Sequence, residues 1–228
     1  MLAIMVMDVS NSTKYENGKD IRLFLEQLTT YTEKSTQHLS FSYTDFRMGD
    51  ELFFVCNDVN ATLLLSYYIK LLWPFKNQPV KFGIAIGDID WPTGNIEHWN
   101  DPLIKHARNA LTAVKHSDIS HFHMHFESDV TPLFNDIVFP YITEITEAHT
   151  EVQQSLLLYD LVYPNQKVVA EKINKTTSTV SAQLKRAHKR QLKLIEQQLK
   201  LFLKHDEASD DLEVFDKQFK AAIKEWLL

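Results

Sequence analysis

The run Phe46-Arg47-Met48-Gly49-Asp50-Glu51-Leu52-Phe53-Phe54-Val55 constrains this chain more than any other segment. Gly49-Asp50 interrupts two strand-like stretches and so reads as the tip of a tight hairpin. A second carboxylate, Asp8, ends the apolar run Leu2-Ala3-Ile4-Met5-Val6-Met7, at the point where a first strand leaves the core. If those strands are neighbours, the two carboxylates converge. Two converging oxygen ligands suit Mg²⁺, which takes one or two protein carboxylates and completes its shell with phosphates and water. The same residues also have an ordinary reading, as a turn dipeptide and a strand-end cap.

The rest of the first half alternates in kind. A helix is predicted from about Asp20, where Ile21, Phe24, Leu25 and Leu28 recur at helical spacing. Phe41–Met48 and Glu51–Asn57 form the hairpin, and a helix from about Val59 to Leu72 stops near Pro74. Val80–Asp88 reads as a strand whose Gly83 and Gly87 permit close approach by a ligand or a neighbouring strand. Leu103–Lys115 is helical and Ser120–Phe126 a strand. The pattern is βαββαβ, which predicts an α+β sandwich with its helices on one face of a mostly antiparallel sheet. His121, His123 and His125 alternate with Phe122, Met124 and Phe126. Side chains two apart on a strand stand parallel, about 7 Å apart, rather than converging on one metal. A core face with the histidines opposite is the simpler reading. The loop Trp91-Pro92-Thr93-Gly94 through Trp99 follows Asp88, its aromatics placed to stack on a base or to cover the domain edge.

Net charge is −6, but it is unevenly spread. Between Lys167 and Lys204, eight Lys and two Arg face only Glu171 and Glu196, a local balance of +8 that leaves −14 for the remainder. Such segregation suits a segment that meets a polyanion, and equally a solvated helix face. Within it, Val169, Ala170, Ile173, Val180 and Leu184 have the spacing of a helix-turn-helix core. Ala170 lets two helices cross closely, and Asn174 tolerates a left-handed turn. Thr177, Ser178, Thr179 and Ser181 then open the second helix, where a recognition helix meets phosphates and base edges, with Lys185, Arg186, Lys189 and Arg190 placed for flanking phosphates. That helix runs on or reforms through Arg190. Leu192, Ile195, Leu199 and Phe202 then share one face, as do Phe215, Phe219, Ile223 and Trp226 after Ser209-Asp210-Asp211. The two stripes suit either a closed core within one chain or a homodimer interface.

Asp8, Gly49-Asp50-Glu51 and Lys81-Phe82-Gly83-Ile84-Ala85-Ile86-Gly87-Asp88 occur in the order found in class III nucleotidyl cyclases and their GGDEF relatives. With the carboxy-terminal helix-turn-helix, the whole arrangement resembles the SatD family. The resemblance implies a cyclase-like domain over residues 1–142 and a helix-turn-helix domain with carboxy-terminal helices over 143–228. It also implies that Asp8 and Asp50 hold Mg or Mn for a nucleotide. Phe46 stands where many adenylyl cyclases carry a base-reading Lys, and Phe donates no hydrogen bond. Lys105 takes the place of the transition-state Asn, and Arg108 stands one position early for the phosphate-binding Arg. Both cations suit phosphate charge, and both suit a solvated helix face.

Composition, 44% hydrophobic and 24% charged, is that of a folded soluble protein with room for two modules. The only cysteine, Cys56, lies in an apolar strand and reads as a buried structural thiol. Seven residues without a basic one precede Asp8, and apolar stretches are broken, for example by Lys70, so neither a signal peptide nor a membrane partner is expected. The expected location is the cytoplasm. Three functions follow: a double-stranded-DNA-binding regulator whose first domain senses a nucleotide and metal, an active nucleotidyl cyclase or related enzyme tethered to DNA, or an interaction protein with neither activity.

Overall fold

A computed structural model describes residues 1–14, 16–47, 49–90, 92, 96, 99–163, 165–203 and 209–227. Met48, Trp91, Thr93, Gly94 and Lys204 lie outside them. The fold is α+β. Strands β1 (Leu2–Val9), β2 (Ser42–Arg47), β3 (Glu51–Cys56), β4 (Val80–Gly87) and β5 (Phe122–His125) form one sheet in the order β2-β3-β1-β4-β5. Only the β4–β5 pair is parallel. Helices α1 (Gly18–Thr36) and α2 (Val59–Leu72) complete the βαββαβ order, followed by α3 (Pro102–Val114).

Alternation along β1 divides two cores, as the period of a strand requires. Ala3, Met5, Met7 and Val9 face α1 and α2, whereas Leu2, Ile4 and Val6 face Leu103, Ala107 and Leu111 of α3. The helices therefore cover both faces, against the expectation of one. The steps from β3 to β4 and from β4 to β5 run the same way across the sheet between parallel strands. Because α2 and α3 cross on opposite faces, the two connections have opposite hands, and one breaks the strong right-handed preference of such units. Gly83 makes the room: a Cβ there would lie 2.2 Å from both the Ala107 carbonyl oxygen and the Leu111 nitrogen. The close approach expected at this glycine is thus made by a helix.

After β5 the described elements are all helical, beginning with α4 (Thr131–Leu133), a π-helical turn (Phe134–Val138) and α5 (Phe139–Glu147). Pro140 lacks an amide proton for the α-helical ladder, and just before it the Phe139 amide donates to the Phe134 carbonyl, five residues back. Helices α6 (Glu151–Val162), α7 (Gln166–Lys172), α8 (Thr177–Arg186), α9 (Lys189–Lys200) and α10 (Asp210–Trp226) follow. His188, at φ 55°, breaks α8 from α9, so of the two expectations the helix reforms rather than runs on.

The two apolar stripes close on the first half of the same chain. Leu192 and Leu199 of α9, with Phe215, Phe219 and Ile223 of α10, join the core that contains α1, α2 and one face of the sheet. Helix α2 is buried along its whole length as a result. Each fully buried side chain of this size contributes about 1.5–3 kcal/mol, so the contact fastens the two halves firmly. The boundary expected at residues 142 and 143 falls inside α5. Lys70 of α2 is buried too, donating to Glu147 Oε1 at 2.5 Å and to His121 Nδ1 at 2.8 Å. Burial and the neighbouring Lys70 hold His121 neutral, its pKa pushed down to about 3. Burial likewise pushes the Cys56 thiol up to about 12, an inert structural group.

Candidate functional site

Two regions carry the residues singled out in the sequence. At the carboxyl end of β1, Asp8 pairs in register with Glu51 of β3, and the Val9 amide donates to the Asp50 carbonyl at 3.1 Å. The strands are neighbours, as convergence of Asp8 and Asp50 requires. Gly49, at φ 88°, turns the hairpin so that Asp50 follows at its tip. Asp50 accepts a 2.6 Å hydrogen bond from Ser12 Oγ.

Because α3 crosses this face, its cations reach the carboxylates. Lys115 Nζ lies 3.4 Å from Asp8 Oδ2, and Arg108 grips Glu51 in a fork of 3.1 and 3.2 Å. Lys81, opposite Asp8 on β4, buries its ammonium against the Lys115 and Ser117 carbonyls at 3.0 and 2.7 Å, anchoring the end of α3. Burial raises the Asp8 pKa; Lys115 opposes it, and Asp50 and Glu51 add to it. Sequence reasoning missed Lys115, Glu51 and Ser12. Lys115 does stand seven residues beyond Arg108, two helical turns along one face, which is the signal that points to it.

Lys105 is not brought to this cluster. It is exposed, has no polar partner among the described residues, and lines a shallow groove with Asn100, Asp101 and Asn109. Phe46 packs against the α1–α2 core. A bare divalent ion fits the carboxylates poorly, since it must displace Lys115 from Asp8 and Ser12 from Asp50. Among the described residues no group of three or more His, Cys, Asp or Glu converges to hold a metal, the three strand histidines included.

The second region is built by α6, α7 and α8. Val169, Ala170, Val180 and Leu184 are buried, and Asn174 takes the left-handed conformation at φ 52°. The Lys175 amide closes the turn on the Ala170 carbonyl at 2.9 Å. Thr176 caps α8, its hydroxyl accepting from the Thr179 amide and lying 2.9 Å from both the Ser178 and Thr179 hydroxyls. Thr177, Ser178, Thr179, Ser181, Lys185, Arg186 and Arg190 are all exposed. Lys189 differs: half-buried, it donates to Asp160 of α6 at 2.6 Å, so its charge is spent inside the chain. His149 Nε2 meets the Ala187 carbonyl at 3.0 Å and ties the end of α8 to the α5–α6 corner.

No family model, curated protein or solved structure matches the chain. Among the described residues no helix is long and apolar enough to cross a membrane.

Proposed function

We propose that this protein is a double-stranded-DNA-binding transcriptional regulator in which α8 is the recognition helix. One observation carries the reading. The exposed hydroxyls of Thr177, Ser178, Thr179 and Ser181 open a capped helix, and Lys175, Lys185, Arg186 and Arg190 around it are exposed without an ion-pair partner among the described residues. Hydroxyls at such a helix start suit phosphates and base edges, and unspent cations suit the flanking backbone. A cytoplasmic location belongs to this reading. Helix-turn-helix proteins usually meet paired half-sites, so we expect two chains per operator.

The Asp8–Asp50 cluster is the proposed sensor. Its cations are already paired with carboxylates, so the ligand that suits it brings both charges: a nucleotide with Mg²⁺ or Mn²⁺ exchanges partners, its metal meeting Asp8 and Asp50 and its phosphates meeting Arg108 and Lys115. Nothing in this arrangement favours cyclase chemistry over sensing, because Phe46 cannot read a base and Lys105 lies apart.

Fluorescence anisotropy on genomic fragments across a salt series tests the DNA reading. Ser181→Ala should cost about 1–3 kcal/mol on the preferred sequence and relax discrimination there. Lys185→Ala or Arg186→Ala should weaken binding to every duplex and flatten the salt slope by about one unit each. A folded protein that binds no fragment at low salt would overturn the regulator reading.

A further inference from the structure

A cleft of about 610 Å³ lies where α2, α6, α9 and α10 meet, away from the sheet-end cluster and bordering the second region at Asp160, Gln166 and Lys189. That volume falls within the range of small-molecule sites, roughly 300–1,000 Å³. We infer that this cleft binds a small organic anion, an apolar or aromatic body carrying one acidic head group.

Three features converge on that chemistry. Four lysines, Lys189, Lys193, Lys200 and Lys220, line the cleft with Asp160 and Glu196, and once Asp216 behind the wall is counted the group carries an excess of one positive charge. Lys189 is held by Asp160, and Lys200 and Lys220 by Glu196 and Asp216. Lys193 is exposed and has no partner among the described residues, so the unspent charge is centred there. Second, Tyr163 lines the cleft with its hydroxyl buried and without a hydrogen-bond partner among the described residues, in a residue only 9% exposed. An unmet buried donor is rare and costly, and an acceptor delivered by a ligand satisfies it. The ring is further flanked by Lys172 and Lys224 at 5.5 and 5.3 Å from its centroid, which makes the surroundings of the phenol more electropositive. Third, Leu71, Leu157 and Leu192 supply an apolar wall. Asp160 and Glu196 within the same cleft disfavour a long polyanion, so a compact monoanion fits better than a nucleic-acid backbone.

The test needs no DNA and stands apart from the regulator reading. Anilinonaphthalene sulfonate, an aromatic body with one sulfonate, is titrated against the native chain by fluorescence, with amide shifts mapping the contact. We expect saturable binding of one molecule per chain, with shifts centred on α6 and α9. Tyr163→Phe should weaken it roughly fivefold, and should leave the thermal midpoint unchanged or higher because the lost hydroxyl has no partner to abandon. Lys193→Gln should weaken binding by a similar factor, while Lys217→Gln on the outer face of α10 should not. Absence of saturable binding, or wild-type affinity in both Tyr163→Phe and Lys193→Gln, overturns the assignment.

Discussion

Two clusters in this molecule are built from nearly the same parts and behave in opposite ways. Between α2, α9 and α10, Glu196 and Asp216 face Lys200 and Lys220: Lys200 reaches Asp216 at 2.7 Å and Glu196 at 3.1 Å, and Lys220 reaches them at 3.0 and 2.8 Å. The Tyr68 hydroxyl lies within hydrogen-bond reach of both carboxylates and shares its single proton between them. At the sheet end, three carboxylates share Arg108 and Lys115, and each cation meets only one of them. Burial pushes Asp8, Glu196 and Asp216 upward alike. In the helical cluster Lys220 and Lys200 outweigh it and leave Glu196 and Asp216 below their ordinary values, whereas Asp8 stays above its own. Doubly shared cations and a phenol make a clasp; singly shared cations leave a site whose charge a ligand can still improve.

The largest effect should come from breaking the clasp. Asp216→Ala leaves two half-buried ammonium groups on Glu196 alone and strips Tyr68 of an acceptor. Truncating one partner of a buried ionic network typically costs about 3–5 kcal/mol, and partial exposure here reduces the expectation to about 2–3 kcal/mol. Urea unfolding measures it. A loss under about 1 kcal/mol, the range of surface pairs, would mean that the apolar stripes alone join the halves.

How far each cluster was legible follows from how local its causes are. Asn174 and the small Ala170 announce a turn between adjacent helices, and the turn is there. Asp8 and Asp50 converge because hairpin and first strand are neighbours, a pairing the apolar runs suggest. Periodicity names a buried face but not its partner, so the stripes of α9 and α10 left open whether they closed within the chain. Gly83 signalled a close approach without saying that α3 makes it, and from that crossing come both Lys115 and Arg108 at the carboxylates. Lys189 looked like one more cation in a basic run, and only the packing of α6 on α9 reveals Asp160 beside it.

Opposite pKa shifts predict opposite pH dependences. Glu196 and Asp216 are depressed in the folded chain, so their stabilisation is present above the unfolded values of 4.5 and 3.8 and is lost as pH falls through the folded values. Asp8 is raised, so its contribution is fully present below 3.8 and is lost as pH rises through its folded value. Acidification from neutrality should therefore destabilise the wild type through the clasp while Asp8 partly offsets the loss. Asp216→Asn should shallow the decline and Asp8→Asn should steepen it. Urea midpoints from pH 7 down to about pH 3 compare the three chains; equal slopes for wild type and Asp8→Asn would remove the distinction between the clusters.

The smallest effect concerns the cation at Asp8. If Lys115 neutralises the site in place of a metal, the wild type should gain little from millimolar Mg²⁺ without nucleotide. Lys115→Ala removes that ammonium and leaves Asp8 beside Asp50 and Glu51 with only Arg108 to balance the three. Mg²⁺ at about ten times its dissociation constant would then stabilise the variant by about 1.4 kcal/mol, a rise of roughly 3–5 °C in thermal midpoint for a chain of this size. Lys105→Ala, on the outer groove, is the matched control and should behave as the wild type. An equal Mg²⁺ response in wild type and Lys115→Ala would show that the lysine does not compete for Asp8, and would move the sheet-end cluster towards the closed, purely structural behaviour of the clasp.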